Sequence, residues 1–257
     1  MAAAERHRFD AVDSTQTIAF ALAADGAADG TAVVADYQNV GRGRHGRTWH
    51  APAGTALLAS IVVRPRVEPR DLPLYSFAAA LATADAIRRV AGVAARLKWP
   101  NDVLLRGRKV SGILLEARTV AERDPVIAIG IGVNLRQATF PPELEARATS
   151  LLLETGRTVT TDEALDALLD ALGVWRTRLE RDGFAPLRAR WLEVSDTIGR
   201  RVEVDGGAGI AVDLAGDGAL VIADGRVRRR VVAGAITAES PRLIVDPEPA
   251  ARDAAGR

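Results

Sequence analysis

The chain has no cysteine, one methionine and three histidines, and among its 34 basic residues only two are lysine. Without cysteine there are no disulfides and no thiolate metal ligands. The histidines, at positions 7, 45 and 50, are too few and too poorly spaced for a histidine-based zinc site. No apolar run is long enough to span a bilayer and no secretory signal opens the sequence, so the cytoplasm is the default location and no membrane partner is expected. A net charge of +1 argues against wholesale coating of nucleic acid but leaves room for a local basic site. What remains is ordinary for a globular protein: 257 residues, 48% hydrophobic and 26% charged, enough for one large domain with an appendage or two small ones.

The scarcity of lysine singles out Lys98 and Lys109, eleven positions apart. Where arginine has taken almost every basic position, a surviving lysine points to a place where a compact ammonium is needed and a guanidinium fork would not serve.

The most unusual stretch is Gly41-Arg42-Gly43-Arg44-His45-Gly46-Arg47-Thr48-Trp49, three arginines and three glycines with no acid, set between strand-like segments 31–38 and 55–65. Glycine lets the backbone come close to a ligand while the arginines supply forked charge, so the loop is suited to an anion. Trp49 closes it with a large apolar body. The spacing of Gly41, Gly43 and Gly46 also fits G-x-G-x-x-G, but Pro52 and Gly54 break any following helix and no acid stands from 61 to 66, which excludes a dinucleotide fingerprint. The kinase motifs H-R-D and D-F-G and a G-x-x-x-x-G-K-S/T loop are absent. Repulsion among three close guanidinium groups favours disorder of this loop before an anion binds.

Along the chain, Arg6 to Val12 reads as a strand, and Asp13-Ser14-Thr15 offers N-cap chemistry to a helix over 16–24 with Ile18, Ala19 and Leu22 on its apolar face. The apolar run 55–63 reads as a strand covered on both faces. A helix is predicted over 72–90, stopped by Gly92, with Leu74, Phe77, Ala78, Leu81, Ala84 and Ile87 as its buried stripe. Strands 96–105 and 109–116 are joined by an Arg106-Gly107 hairpin that brings Lys109 across from Asn101 and Asp102. In the strand 126–134, Gly130 and Gly132 leave one face bare, which signals close approach of something else. Helices are expected over 142–153, 162–181 (opened by Thr161 and Asp162) and 184–193. After Ser195, five short strands separated by glycine turns suggest a small antiparallel barrel, and the tail 241–257, like the first residues, is expected to be disordered. The fold class is thus α+β, with a sheet-and-helix domain over 1–194 and a small β-domain over 195–240.

Taken together, these motifs resemble those of the bacterial biotin protein ligases, the biotin–acetyl-CoA-carboxylase ligases, from Asp13 to about Ala238. The arginine loop is similar to the family's G-R-G-R-x-G-R-x-W signature, Lys98-Trp99-Pro100-Asn101-Asp102 to its K-W-P-N-D element, Lys109 to Glu116 to its K-x-A/S-G-I-L-x-E strand, and Gly130 to Asn134 to its G-x-G-x-N strand. The resemblance implies a mixed sheet with helices on one side, of the class II synthetase or biotin–lipoate ligase type, followed by an SH3-like barrel. It implies activation of biotin by MgATP to biotinyl-5'-AMP, then transfer to a lysine of a biotin carboxyl carrier protein domain of an acyl-CoA or pyruvate carboxylase.

Carried over residue by residue, it implies biotin binding by Ser14, Thr15, Gln16, Gln38, Gly41, Arg42, Gly43, Arg44, Trp49, Lys109, Gly112, Gly130 and Gly132. Adenylate binding falls to Arg42, Arg44, Arg47, Trp49, Lys98, Asn101, Asp102 and Asn134, and Lys109, Arg44 and Arg42 stand as catalytic groups. Two departures are visible: Gln16 stands where the family has asparagine, and only a dozen residues precede the Asp13-Ser14-Thr15 element, which leaves no room for the winged helix-turn-helix of some members. The expectation is a ligase without repressor function or DNA partner, a monomer or weak dimer. A lipoate or octanoate ligase of the same wider fold is the nearest alternative, and a nucleic-acid binder using the arginine loop is a more distant one.

Overall fold

The computed structural model describes residues 5–119 and 125–239; the expected frayed start (1–5), apart from Glu5, and the expected disordered tail (241–257) lie outside them. The chain opens with a strand, a helix and a parallel strand: β1 (Arg6–Val12), α1 (Thr15–Ala24) and β2 (Ala32–Gln38). After the arginine loop come β3 (Ala56–Val63), a 3-10 turn (Pro69–Leu74), α2 (Tyr75–Ala91), β4 (Arg96–Lys98), β5 (Asp102–Leu105), β6 (Arg108–Thr119) and β7 (Pro125–Asn134). These strands form one seven-stranded sheet in the order β1-β2-β3-β7-β6-β5-β4, antiparallel at every pairing except β1 with β2.

The largely apolar sequence of β3, interrupted only by Ser60, is explained by its place. All of its residues are buried, with Leu57, Ala59, Ile61 and Val63 facing α2 and a later helix (Thr161–Asp182), while Ser60 and Val62 face α1. Helices therefore lie on both faces of the sheet, which corrects the one-sided expectation. The β1-α1-β2 crossover puts α1 on the face opposite α2, where it buries Ala19, Phe20 and Ala23 against Val33, Val62, Val126 and Ala128. Its buried stripe is turned one position from the predicted one, and Ile18 and Leu22 are only partly covered.

Four helices follow β7. The expected helix over 142–153 is instead two short pieces, α3 (Pro142–Glu145) and α4 (Leu151–Thr155), because the Ser150 hydroxyl accepts the Leu153 amide and starts a new helix there. In α5 (Thr161–Asp182) the cap is Thr160, one residue before the expected opening pair Thr161 and Asp162, in a reciprocal capping box with Glu163. Then α6 (Ala185–Val194) leads into β8 (Arg201–Val204), β9 (Gly207–Leu214), β10 (Leu220–Asp224), β11 (Val227–Val231) and β12 (Ile236–Glu239). These make a five-stranded antiparallel sheet ordered β11-β10-β9-β8-β12, the expected small SH3-like unit.

Trp99 fastens that unit to the large sheet. It is 1% exposed, its main-chain N–H donates to Thr197 Oγ1 at 2.9 Å and its indole N–H donates to the Gly218 carbonyl at 3.1 Å. Gly218 is a glycine of necessity: φ is +83° and a Cβ there would lie 2.5 Å from the Phe77 ring. Burial of large apolar side chains such as Trp99 and Trp191 contributes roughly 1.5–3 kcal/mol each.

Candidate active site

On the α1 side of the sheet, beside the N-terminus of that helix, lies a cleft of about 610 Å³. Every candidate residue named from the sequence lines it except Gly41. A Cβ on Gly41 would collide with the Trp49 carbonyl, so that glycine serves the loop's own turn.

The arginine loop folds as a small hairpin. Gly43 N–H donates to Arg47 O at 2.6 Å and Trp49 N–H to Gly41 O at 3.0 Å, with His45 and Gly46 at positive φ in the turn. Its guanidinium groups are steered apart onto partners. Arg42 reaches the Ser14 hydroxyl at 3.4 Å, the Thr17 hydroxyl at 3.3 Å and the Glu116 carboxylate at 3.4 Å, while Arg44 donates to Asn101 Oδ1 at 3.4 Å. Burial pushes the pKa of Arg44 down, and the Asp102 carboxylate opposes that shift.

At the head of α1, Ser14 has the extended backbone of an N-cap but its side chain makes no capping bond. The cap comes from another strand. Gln38 Oε1, at the end of β2, accepts the Thr15 amide at 2.8 Å and the Thr15 hydroxyl at 3.1 Å; that hydroxyl also lies 2.7 Å from Ser60 Oγ. The side chains of Thr15 and Gln38 are thereby held in a neutral polar cluster at the positive end of the helix, beside Ser14, whose hydroxyl Arg42 reaches.

The floor of the cleft is a cross-strand row. Leu58, Gly132, Gly112 and Asp102 face one another on β3, β7, β6 and β5. The bare face read from Gly130 and Gly132 is filled by the chain's own side chains. A Cβ on Gly132 would lie 2.6 Å from the Trp49 indole, one on Gly112 would lie 3.1 Å from the end of Lys109, and one on Gly130 would lie 3.2 Å from Gln16. Lys109 Nζ pairs with Asp102 Oδ1 at 2.6 Å across the β5–β6 hairpin and stands 5.6 Å from the centre of the Trp49 ring. Asn101 accepts from and donates to the main chain of Ile113, which fixes the turn that presents Asp102. Lys98 is half-buried on the wall.

Three buried polar atoms of lining residues have no hydrogen-bond partner among the described residues: Gln16 Oε1, Trp49 Nε1 and Asn134 Oδ1. An orphaned buried polar atom costs roughly 1–3 kcal/mol, so a ligand that satisfies these atoms is favoured. The amides are otherwise engaged: Gln16 Nε2 donates to Leu114 O and Glu116 at 3.2 Å, and Asn134 Nδ2 to Thr149 O at 2.9 Å. No group of three histidine, aspartate or glutamate side chains among the described residues is placed to hold a metal by itself.

Sequence reasoning missed several parts of this site. Phe140, Leu144, Arg147 and Ala148 make one wall, and Gly234, Ala235 and Ile236 bring the small sheet to the rim. None of them carries a local signal, since they reach the cleft only through tertiary packing. Glu116 did have one: it is an acid at the end of a strand otherwise apolar from Ile113 to Leu115.

The class of protein is shown by comparison with known sequences and structures. Residues 9–134 match the Biotin/lipoate A/B protein ligase family. The biotin–acetyl-CoA-carboxylase ligase of Paracoccus denitrificans is 40% identical over 232 residues, 87% of this chain and 95% of that protein. Its counterpart in Mycobacterium tuberculosis is 37% identical over 225 residues, 81% and 79% of the two chains. The bifunctional ligase/repressor BirA of Bacillus subtilis is 36% identical over 184 residues, 71% of this chain but 57% of BirA. The biotin protein ligase of Aquifex aeolicus, solved with biotin and ATP, superposes with a TM-score of 0.80 at 28% identity, covering 93% of this chain and 99% of that one. The chain belongs to the biotin protein ligases.

Proposed function

We propose that the cleft binds biotin and ATP side by side, joins them as biotinyl-5'-AMP, and then delivers the biotinyl group to a lysine of a biotin carboxyl carrier protein domain. One observation carries this: a neutral polar cluster and a set of cations meet in a single cleft over a glycine floor. The ureido ring of biotin offers one carbonyl acceptor and two N–H donors. Ser14, Thr15 and Gln38 present hydroxyls and an amide suited to both, and Gln16 adds a buried carbonyl oxygen without a partner among the described residues.

In the first step a biotin carboxylate oxygen attacks the α-phosphorus, the bond to the β-phosphate oxygen breaks, and pyrophosphate leaves. Both reactants are anionic, so the barrier falls mainly through positioning and through cations placed where charge builds. Arg42 and Arg44 close over the carboxylate and α-phosphate, with the Gly43 backbone between them, and Lys109 stands as a point charge beside the reacting oxygen. Asp102 keeps that ammonium in the cleft until the substrate oxygens replace it as partner. Lys98 and Arg47 extend the positive field toward the phosphates.

Asn101, Asn134 and Trp49 serve the adenosine, and Phe140 and Leu144 add apolar surface for its purine. Magnesium enters with the nucleotide as MgATP, since it usually binds through substrate phosphates and one or two carboxylates, and Asp102 is the carboxylate at hand. In the second step a carrier lysine amine attacks the acyl carbon and AMP leaves. Residues 1–194 hold the reacting groups, and the small domain over 195–240 lends Gly234 to Ile236 to the rim. Acceptors would be carrier domains of acyl-CoA or pyruvate carboxylases in the cytoplasm, met by a monomer or weak dimer.

Pyrophosphate exchange into ATP, measured with biotin, lipoate, octanoate or no acid, tests this. Exchange with biotin alone is the expected result. Exchange with lipoate or octanoate would move the substrate to a straight acyl chain, and no exchange from folded protein with magnesium would remove adenylation from this cleft.

A further inference from the structure

We infer that Glu154, which lies outside the cleft, is the positioning residue that sets where Lys109 stands; the inference rests on the role given above to Lys109. The Glu154 side chain is only 3% exposed. Its Oε1 accepts from Arg108 Nη2 and from the Thr149 hydroxyl, each at 2.7 Å, and its Oε2 pairs with Arg106 Nε at 3.4 Å. A carboxylate this deeply buried is tolerated only when paired and hydrogen-bonded, and here every partner belongs to one of two segments that meet at Lys109.

The first segment is the β5–β6 turn. Arg106 and Arg108 flank Gly107 and lead directly into Lys109, and Arg106 and Gly107 both have positive φ, at 48° and 79°. The second is residues 147–149, which bracket Lys109 by main-chain bonds: Lys109 N–H donates to Arg147 O at 2.7 Å, and Thr149 N–H donates to Lys109 O at 2.9 Å. A register shift between Val103 and Leu104 sets Lys109 opposite Leu104, and such a bulge re-aims the side chains next to it. From there the ammonium reaches Asp102 at 2.6 Å.

Glu154 therefore ties the turn before Lys109 to the segment that fixes its main chain. That segment also carries Arg147 and Ala148, which line the cleft, and its Thr149 carbonyl accepts from Asn134. Hairpin, wall and lysine are held as one unit by a single carboxylate.

The test is Glu154→Gln in the full chain, a change that keeps the shape and removes the charge. Biotin-dependent pyrophosphate exchange is measured per active site, with active sites counted from a single-turnover burst of biotinyl-adenylate. We expect kcat to fall roughly 10- to 100-fold, as for a displacement near 1 Å at a reacting centre, with KM for biotin changed less than about twofold. In a Lys109→Ala background the same change should add less than about threefold, because groups acting as a unit are not additive. A merely structural role would lower the count of active sites and leave kcat per site alone; that result, or a full additive loss on top of Lys109→Ala, overturns the inference. A Lys109→Ala enzyme with wild-type exchange would instead refute the role of Lys109 itself. Should Glu154→Gln not fold, Arg108→Met at a half-exposed position carries the same test: a kcat loss that vanishes in Lys109→Ala supports the coupling, and an unaltered kcat ends it.

Discussion

Replacing Gly132 with alanine probes the cleft floor with a single methyl group. The added carbon would lie 2.6 Å from Trp49 Cε2 and 2.8 Å from Cζ2, whereas carbon atoms at rest stand about 3.5–4.0 Å apart. The shortfall is about 1 Å, and it falls on a rigid ring whose main chain closes the arginine loop. If the indole is held, overpacking costs roughly 1–3 kcal/mol, which in a chain of this length lowers Tm by about 2–4 °C per kcal/mol. If the indole yields instead, it takes with it the platform beside Lys109 Nζ, 5.6 Å from its centre, and the Gly41–Trp49 closure of the loop. A 1 Å error at the reacting centre costs on the order of 100-fold in rate.

Gly130→Ala is the control. There the nearest atom is Gln16 Cδ at 3.2 Å, the end of a side chain that can give by a few tenths of an ångström. Exchange kinetics and thermal melts of the two variants should separate clearly: Gly132→Ala loses rate, melting temperature or both, and Gly130→Ala shows a smaller change seen mainly in KM for biotin. Equal, near-wild-type behaviour of both would refute the claim that Trp49 is seated against Gly132.

Lys109→Arg should leave the melting temperature within about 2 °C, a surface-like change of up to roughly 0.5 kcal/mol, yet lower exchange kcat by 10-fold or more, on the order of one well-placed electrostatic contact; wild-type turnover would show that a fork serves as well as an ammonium. Hydrogen exchange of amides 42–47 should slow on adding biotin with MgATP, because the guanidinium groups trade Glu116 and Asn101 for substrate oxygens, and identical exchange with and without ligands would count against loop closure. The Glu163 carboxyl is held below its ordinary value by the Thr160 amide and hydroxyl. A depressed folded-state pKa stabilises above the unfolded value and loses that contribution as pH falls through the folded one, so Thr160→Ala, which removes the hydroxyl and keeps the amide, should flatten part of the decline in Tm below about pH 4.5. Parallel Tm curves for the two proteins from pH 6 to 3 would contradict it.

The sequence by itself determined whatever depends on near neighbours. The largely apolar run at 56–63 pointed to a strand buried on both faces, Arg106-Gly107 to a tight hairpin, and three arginines among three glycines to a loop suited to an anion. That Lys109 would meet Asp102 across that hairpin was also legible, because a hairpin brings near neighbours together, but the register shift that sets Lys109 opposite Leu104 was not. Tertiary structure decided the rest. Inserting β7 between β3 and β6 aligned Gly132 with Gly112 and Leu58, and α1 took the face opposite α2, which put Ser14, Thr15 and Gln16 beside that floor. The Gln16 and Trp49 side chains over Gly130 and Gly132, the Glu116 contact to Arg42 and the Glu154 contact to Arg108 likewise follow from packing between segments 46 to 114 residues apart in sequence. Local periodicity reports which face of an element is apolar. Which other element covers that face is settled by burial summed over the whole chain, and no stretch of a dozen residues contains it.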